Sequence, residues 1–156
     1  MLIVSSSKII PASAARIYAV LADYEAGHRA ILPPRYFKDM QVLEGGYGDG
    51  TLIQVTLGIL GKTYEYTMRV TEPEPGHIIK ETDTNTGQYS TFILEEQADG
   101  QCRVTIEAGI PEETGIMGVI QRLTQPPLSR RMFNEELDIL ANYVQTAPAN
   151  TPISAL

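Results

Sequence analysis

The strongest constraint on the fold is a change of periodicity in the middle of the chain. From residue 36 to residue 110, apolar and polar residues alternate with a period of two, interrupted by short segments rich in glycine, proline and aspartate. Such alternation is typical of strands that bury one face, and short connections join antiparallel neighbours. The sequence predicts six such strands, at residues 38–44, 51–57, 62–71, 77–82, 88–96 and 102–110.

A strand and two short helices are predicted before this meander. The strand at 2–10 ends at Pro11, and Ser13 is a suitable N-cap for a helix with apolar residues at helical spacing. Gly27 lies where that helix should stop. A second short helix or turn is predicted at 25–32, because the double proline that follows it prevents its continuation.

The last third of the chain is predicted to be helical. A short helix is expected at 115–123, and Thr124 is expected to cap a second helix. Two prolines then fall in the first turn of that helix, where a missing N–H costs little. This long helix runs to about residue 145 and carries an apolar stripe. The stripe consists of Phe133, Leu137, Leu140 and Val144.

This order of elements predicts an α+β fold, in which a curved antiparallel sheet of about seven strands is covered by the long C-terminal helix. The chain resembles the START-like or Bet v 1-like (SRPBCC) superfamily, which includes polyketide cyclases/dehydrases and lipid-transport proteins. The resemblance rests on IIPAS at 9–13, IYAVLAD at 17–23, VLEGGYGDGT at 42–51 and EPEPG at 72–76. It implies a helix-grip fold with an apolar cavity between the sheet and the C-terminal helix.

Composition and charge narrow the range of partners. Acidic residues outnumber basic ones by 19 to 12, and the net charge of −7 argues against binding to nucleic acid or to an anionic membrane. No apolar run approaches the ~20 residues that span a bilayer, so no integral membrane association is expected. Cys102 is the single cysteine, which excludes an intrachain disulfide. Together with the lack of a targeting pattern, it favours a cytoplasmic location.

The length of 156 residues predicts a single domain, at 1–146, which the resemblance implies is START-like, followed by a C-terminal tail at 147–156. The tail is rich in proline and alanine and follows the last helical pattern. A neighbouring copy of the chain is one candidate for contact with it. A homodimer is therefore one expectation for the oligomeric state.

Neither a metal nor a cofactor is predicted. His28 and His77 are the only histidines and lie far apart, whereas a zinc site collects three or four close nitrogen or sulfur ligands. The glycine-rich segment 45–50 is followed by a strand rather than by the helix of a dinucleotide site, and so indicates a hairpin. The glutamate pairs at 95–96, 112–113 and 135–136 are interpreted as solvated, because adjacent side chains diverge.

One face of the predicted sheet is a candidate binding wall. Tyr64, Tyr66 and Met68 share a face of one strand, and core packing is the simpler interpretation of each. Buried tyrosine hydroxyls need a partner, however, and a cavity can supply one as water or ligand. Flexible apolar residues of the long helix would lie opposite. The predicted ligand-binding residues are Ile53, Val55, Leu57, Tyr64, Tyr66, Met68, Met132, Phe133 and Leu137.

The residues around the double proline have two interpretations. As a set, His28, Arg29, Arg35 and Tyr36 could rim a pocket, but loop residues facing water are the preferred interpretation. If the chain is an enzyme, His28 and His77 are the candidate catalytic residues. The reason is that tyrosine phenols, with pKa near ~10, are poor bases at neutral pH.

Three functions from different classes are compatible with the sequence. The first is binding of a hydrophobic small molecule, such as a lipid, a polyketide or an aromatic compound, by a carrier or sensor. The second, which the resemblance implies, is a polyketide cyclase/dehydrase-like enzyme that needs an acid or base beside an enolisable carbon. The third is a co-chaperone or assembly factor that uses the outer face of the sheet. Fold alone does not decide activity, so the enzyme question is left open.

Overall fold

The computed structural model describes residues 1–146, and the predicted tail at 147–156 lies outside the described residues. Seven antiparallel strands form one curved sheet in the order β1-β7-β6-β5-β4-β3-β2, which confirms the predicted fold class. The elements in chain order are β1 (Leu2–Ile10), α1 (Ala14–Ala22), α2 (Gly27–Ile31), β2 (Phe37–Glu44), β3 (Leu52–Ile59), β4 (Lys62–Glu74), β5 (Ile78–Asp83), β6 (Tyr89–Glu96), β7 (Cys102–Ile110) and α3 (Gly115–Thr146).

The two short helices connect the two edges of the sheet, because β1 and β2 are the edge strands. The Ser13 hydroxyl caps α1 by accepting a hydrogen bond from the Arg16 amide at 3.2 Å. At the start of α2, the backbone of Gly27 lies against α1. A Cβ on Gly27 would lie 2.7 Å from the Val20 carbonyl oxygen, so this close approach requires glycine.

The C-terminal helix differs from the prediction of two helices divided at Thr124. One continuous helix runs over Gly115–Thr146 and contains both Pro126 and Pro127. The Thr124 hydroxyl does not cap a helix; it donates to the Ile120 carbonyl one turn earlier, at 2.8 Å. The prolines remove the amide partners of carbonyls on two exposed residues, Arg122 and Leu123, where water can replace them, so the helix continues.

The core lies between the concave face of the sheet and the helices. Ile79, Phe92 and Ile106 are opposite one another in the register of β5, β6 and β7, and form one apolar row with Leu137 and Leu140 in the same buried cluster. The α3 helix also packs against β1, α1 and α2. Among the helices of residues 1–146, none is both long and apolar enough to cross a membrane.

Candidate functional site

A cavity of about 770 Å³ separates the concave face of the sheet from α3. Its wall is mostly apolar and includes residues of β3, β4 and α3. Leu60, at the tip of the β3–β4 hairpin, belongs to this wall and is 89% exposed, while Gln121 and Thr124 of α3 belong to it on the other side. The cavity therefore opens to solvent between the hairpin tip and the N-terminal half of α3.

Most of the predicted binding residues lie on this wall. Antiparallel register places Val55 opposite Tyr66 and Leu57 opposite Tyr64, so these four side chains share the concave face. The predicted residues that line the cavity are Ile53, Val55, Leu57, Tyr64, Tyr66, Met68, Met132 and Phe133. Their role as ligand contacts stays a prediction.

Leu137 is the one predicted binding residue that does not line the cavity. It lies one helical turn after Phe133 and is 1% exposed within the hydrophobic core. At this level α3 is packed directly against other apolar residues, so the stripe of the helix changes from cavity wall to core. Glu136, the residue before Leu137, lines the cavity instead.

A buried polar cluster occupies part of the otherwise apolar wall. It consists of Tyr24, His28, Glu81, Ser90 and Glu136; all but Tyr24 line the cavity. Glu81 and Ser90 are opposite each other in the register of β5 and β6, directly beside the apolar row of the core. The cluster therefore joins residues of α2, β5, β6 and α3 that are distant in sequence.

Glu81 is the centre of the hydrogen-bond network in this cluster. Tyr24 donates its hydroxyl hydrogen to Oε1 of Glu81 at 2.6 Å, and Ser90 donates to Oε2 at 3.0 Å. His28 Nε2 lies 3.3 Å from Oε1. Burial, and then the charge and hydrogen bond of Glu81, raise the pKa of the Tyr24 phenol well above its ordinary value, so this group is a donor and not a base.

The hydrogen-bond partners of His28 determine which of its ring nitrogens carries a hydrogen. Its Nδ1 is 2.8 Å from the Leu21 carbonyl oxygen, which can only accept, so we assign the hydrogen to Nδ1. With that assignment, a hydrogen bond between Nε2 and Oε1 of Glu81 needs one further proton, because both atoms are otherwise acceptors. That proton can be carried by the imidazole or by the carboxyl. The ring is fixed by stacking on Tyr24, with centroids 4.3 Å apart, and by the edge of Phe92 at 5.4 Å.

Glu136 has a different environment from Glu81. It is 4% exposed, and within residues 1–146 no hydrogen bond to its carboxyl is found. Burial, and second the nearby Glu81 carboxyl, raise its pKa well above the ordinary value of 4.5. Glu136 therefore keeps its proton to a higher pH than an exposed glutamic acid, and its carboxyl is directed to a cavity without a protein partner.

Two interpretations from the sequence are corrected by this geometry. The pair at 135–136 is not solvated as a pair, because the helix places Glu136 on its buried face. His28 and Tyr36 do not face water; they are 2% and 7% exposed, because the segment folds back onto α1 and the sheet. Arg29 and Arg35 are exposed, as that interpretation expected.

The two candidate histidines have different locations. His28 lines the cavity, whereas His77 is an exposed residue of the turn between β4 and β5. The backbone of His77 is used in that turn, since its amide donates to the Glu74 carbonyl at 2.9 Å. Only His28 is therefore brought to the buried polar cluster.

Two acidic residues of the site, Glu81 and Glu136, were not predicted, although the periodicity of their elements indicates that both are buried. Glu81 lies two residues after the buried Ile79 in β5, so alternation places both on one face. Glu136 lies three residues after Phe133 and four before Leu140, which is the spacing of one helix face. An acidic residue at a position that the period assigns to the interior is a marker of a site.

Comparisons with known proteins agree with this architecture. A family model described as polyketide cyclase / dehydrase and lipid transport matches residues 1–145. The solution structure of the KanY protein is 26% identical, with a TM-score of 0.80, and covers 92% of this chain and 97% of its own. A search of curated proteins finds no match.

Two solved enzymes share the fold at lower identity. The Zhui aromatase/cyclase from Streptomyces sp. R1128 is 15% identical with a TM-score of 0.73, covering 97% of this chain and 99% of its own. Norcoclaurine synthase from Thalictrum is 18% identical with a TM-score of 0.67, covering 92% and 94%. Because the family model spans nearly the whole chain, the protein belongs to the polyketide cyclase/dehydrase and lipid transport family.

Proposed function

We propose that this protein binds a hydrophobic small molecule in the cavity between sheet and α3, as a carrier or sensor. The observation that carries this proposal is the cavity of about 770 Å³, open at one side and lined mainly by apolar side chains. Sites for small molecules have volumes of roughly 300–1,000 Å³ and combine an apolar wall with a few polar groups. The family membership supports a ligand-binding role.

Burial of apolar surface provides the driving force. A ligand that hides about 400 Å² of apolar surface gains roughly 10 kcal/mol at about 25 cal/mol per Å². Loss of translational freedom and ordering of side chains offset several kcal/mol of this gain. We expect affinities in the micromolar range. A lipid, a polyketide or an aromatic compound could each supply such a surface.

Filling the cavity should abolish binding. We expect Val55→Trp to weaken binding of the neutral probe 1-aminoanthracene by about tenfold or more, because Val55 is 6% exposed and lines the cavity. The control is Thr56→Trp, whose side chain points to the other face of the same strand. Fluorescence titration measures both affinities, and thermal melting checks both folds. Equal binding by the wild type and both variants would contradict the proposal.

A second candidate function, an acid–base enzyme for carbonyl compounds, is favoured by one observation. His28 Nε2 lies 3.3 Å from Oε1 of Glu81 at the cavity wall, close to Glu136. In such an enzyme the Glu81 carboxylate, with the proton of the pair on the His28 imidazole, would take a proton from the carbon beside a carbonyl, while the Glu136 carboxyl donates a hydrogen bond to the carbonyl oxygen. This chemistry requires no cofactor.

Hydrogen exchange in a bound ketone distinguishes carrier from enzyme. With 2-acetonaphthone in deuterated buffer, an enzyme is expected to accelerate deuteration of the methyl group. His28→Ala should then reduce the rate by about 100-fold, whereas His77→Ala should leave the rate unchanged because His77 lies on the surface. Proton NMR measures the exchange. Binding without acceleration would assign the protein to the carriers.

A further inference from the structure

The buried polar cluster contains one group that the protein itself leaves without a partner. The Glu81 carboxyl accepts hydrogen bonds from Tyr24 and Ser90, and His28 lies beside it. The Glu136 carboxyl, 4% exposed on the cavity wall, has no hydrogen-bond partner within residues 1–146. Because this carboxyl borders the cavity and forms no hydrogen bond with the described residues, a ligand in the cavity can supply its partner.

The charge distribution along the cavity limits what that ligand can be. Among the described residues that line the cavity, Lys62 is the only lysine or arginine, and it is an exposed residue near the hairpin tip. At the cluster, His28 is already engaged with Glu81. A ligand carboxylate at this position would therefore meet two carboxyl groups and no free cation, at a large desolvation cost.

We propose that Glu136, beside the His28–Glu81 pair, forms a subsite that accepts a neutral hydrogen-bond-accepting oxygen of a hydrophobic ligand and excludes a carboxylate at that end. This inference rests on the proposed binding function and specifies the ligand class. The protonated carboxyl of Glu136 donates to the oxygen. An anionic group can bind only at the opposite end of the cavity, near Lys62.

A cationic amine is the competing occupant, and the geometry disfavours it. To pair with an ammonium group, Glu136 must first lose its proton within the apolar cavity. The titratable groups around Glu136 are Glu81 on β5, His28 on α2 and Tyr24 before α2. A neutral oxygen requires no change of protonation.

The test uses four probes of nearly equal shape: naphthalene, 2-acetonaphthone, 2-naphthoate and 1-(2-naphthyl)ethylamine. Dissociation constants are measured by NMR titration at neutral pH. The ketone is expected to bind about tenfold more tightly than the carboxylate. Its affinity should fall as pH rises and Glu136 loses its proton. The outcomes that would overturn the subsite are a carboxylate that binds as tightly as the ketone to the variant Lys62→Met, which lacks the cation at the other end of the cavity, or an amine that binds most tightly with affinity rising with pH.

Variants of Glu136 separate the subsite from general apolar binding. Glu136→Gln keeps a donor, so it should retain the preference for ketone over naphthalene and lose the pH dependence. Glu136→Leu should reduce that preference by about fivefold. Met132→Leu, on the same wall without a polar group, should affect all four probes alike. An unchanged preference in Glu136→Leu would overturn the subsite alone, whereas failure of every probe to bind would overturn the proposed function itself.

Discussion

Replacing Glu81 with leucine is expected to lower the free energy of unfolding by about 3–5 kcal/mol, the usual cost of removing one partner of a buried charged network. The carboxyl accepts hydrogen bonds from Tyr24 at 2.6 Å and Ser90 at 3.0 Å. Tyr24 is fully buried, so no water can replace the lost acceptor of its hydroxyl. Urea denaturation at neutral pH measures the loss.

A double-mutant cycle identifies the origin of this loss. Glu81→Gln retains an acceptor oxygen and should be less destabilising than Glu81→Leu. Tyr24→Phe removes the stranded hydroxyl, so the double variant Tyr24→Phe/Glu81→Leu should be more stable than the sum of the two single effects predicts. Strictly additive effects would show that the hydrogen bond between Tyr24 and Glu81 does not stabilise the fold.

The sheet was predictable because strand alternation is a local property. A period of two depends only on which residues in one segment are buried, and short turns restrict the pairing to neighbours in the chain. The last strand, β7, therefore occupies the predicted range Cys102–Ile110. The face shared by Tyr64, Tyr66 and Met68 followed from the same rule. Local pattern thus determines the order of β2 to β7 and the side of the sheet that faces the cavity, whereas the pairing of β1 with β7 joins segments that are distant in the chain.

The break predicted in the last helix shows where a local rule fails. A threonine followed by two prolines is a reasonable helix start. This short motif, however, carries no information about how the rest of the helix packs. In the structure the helix of 32 residues continues on both sides of Pro126 and Pro127. Its C-terminal half is held by buried residues such as Phe133 and Leu140. Favourable packing of a long helix can exceed the cost of two missing amide bonds.

The polar cluster could not be predicted because contacts between distant segments create it. His28 is buried only because Gly27 allows α2 to approach α1 closely. Glu81 and Glu136 come near each other because β5 and α3 face the same cavity from opposite sides. Two adjacent glutamates, considered by themselves, are interpreted as a solvated pair. The helical period nevertheless assigns Glu136 to the interior. A buried polar residue can therefore be recognised in the sequence only when its chemistry is considered together with its position in the helix or strand period.

Replacing Glu136 with leucine is expected to stabilise the protein, by an amount that grows with pH. Because burial, and then Glu81, raise the pKa of Glu136 well above 4.5, the folded chain holds a proton that the unfolded chain has released. The unfolding free energy of the wild type then falls by about 1.4 kcal/mol per pH unit, from the unfolded pKa until the pH reaches the folded pKa. Leucine removes this loss, so the two stability curves should diverge as pH rises.

Denaturation in urea at a series of pH values measures the divergence, with Glu136→Gln as the matched control. Glutamine has nearly the size of glutamic acid and cannot ionise, so its curve should have the same pH slope as that of the leucine variant. The His28–Glu81 pair remains in all three proteins, so the comparison isolates the ionisable group at position 136. Parallel curves for the wild type and Glu136→Gln would show that Glu136 ionises in the folded protein as readily as in the unfolded chain. If the wild-type curve instead falls away from the Glu136→Gln curve as pH rises, Glu136 destabilises the fold. Such a loss of stability is expected of a residue that serves ligand binding and not the packing of the core.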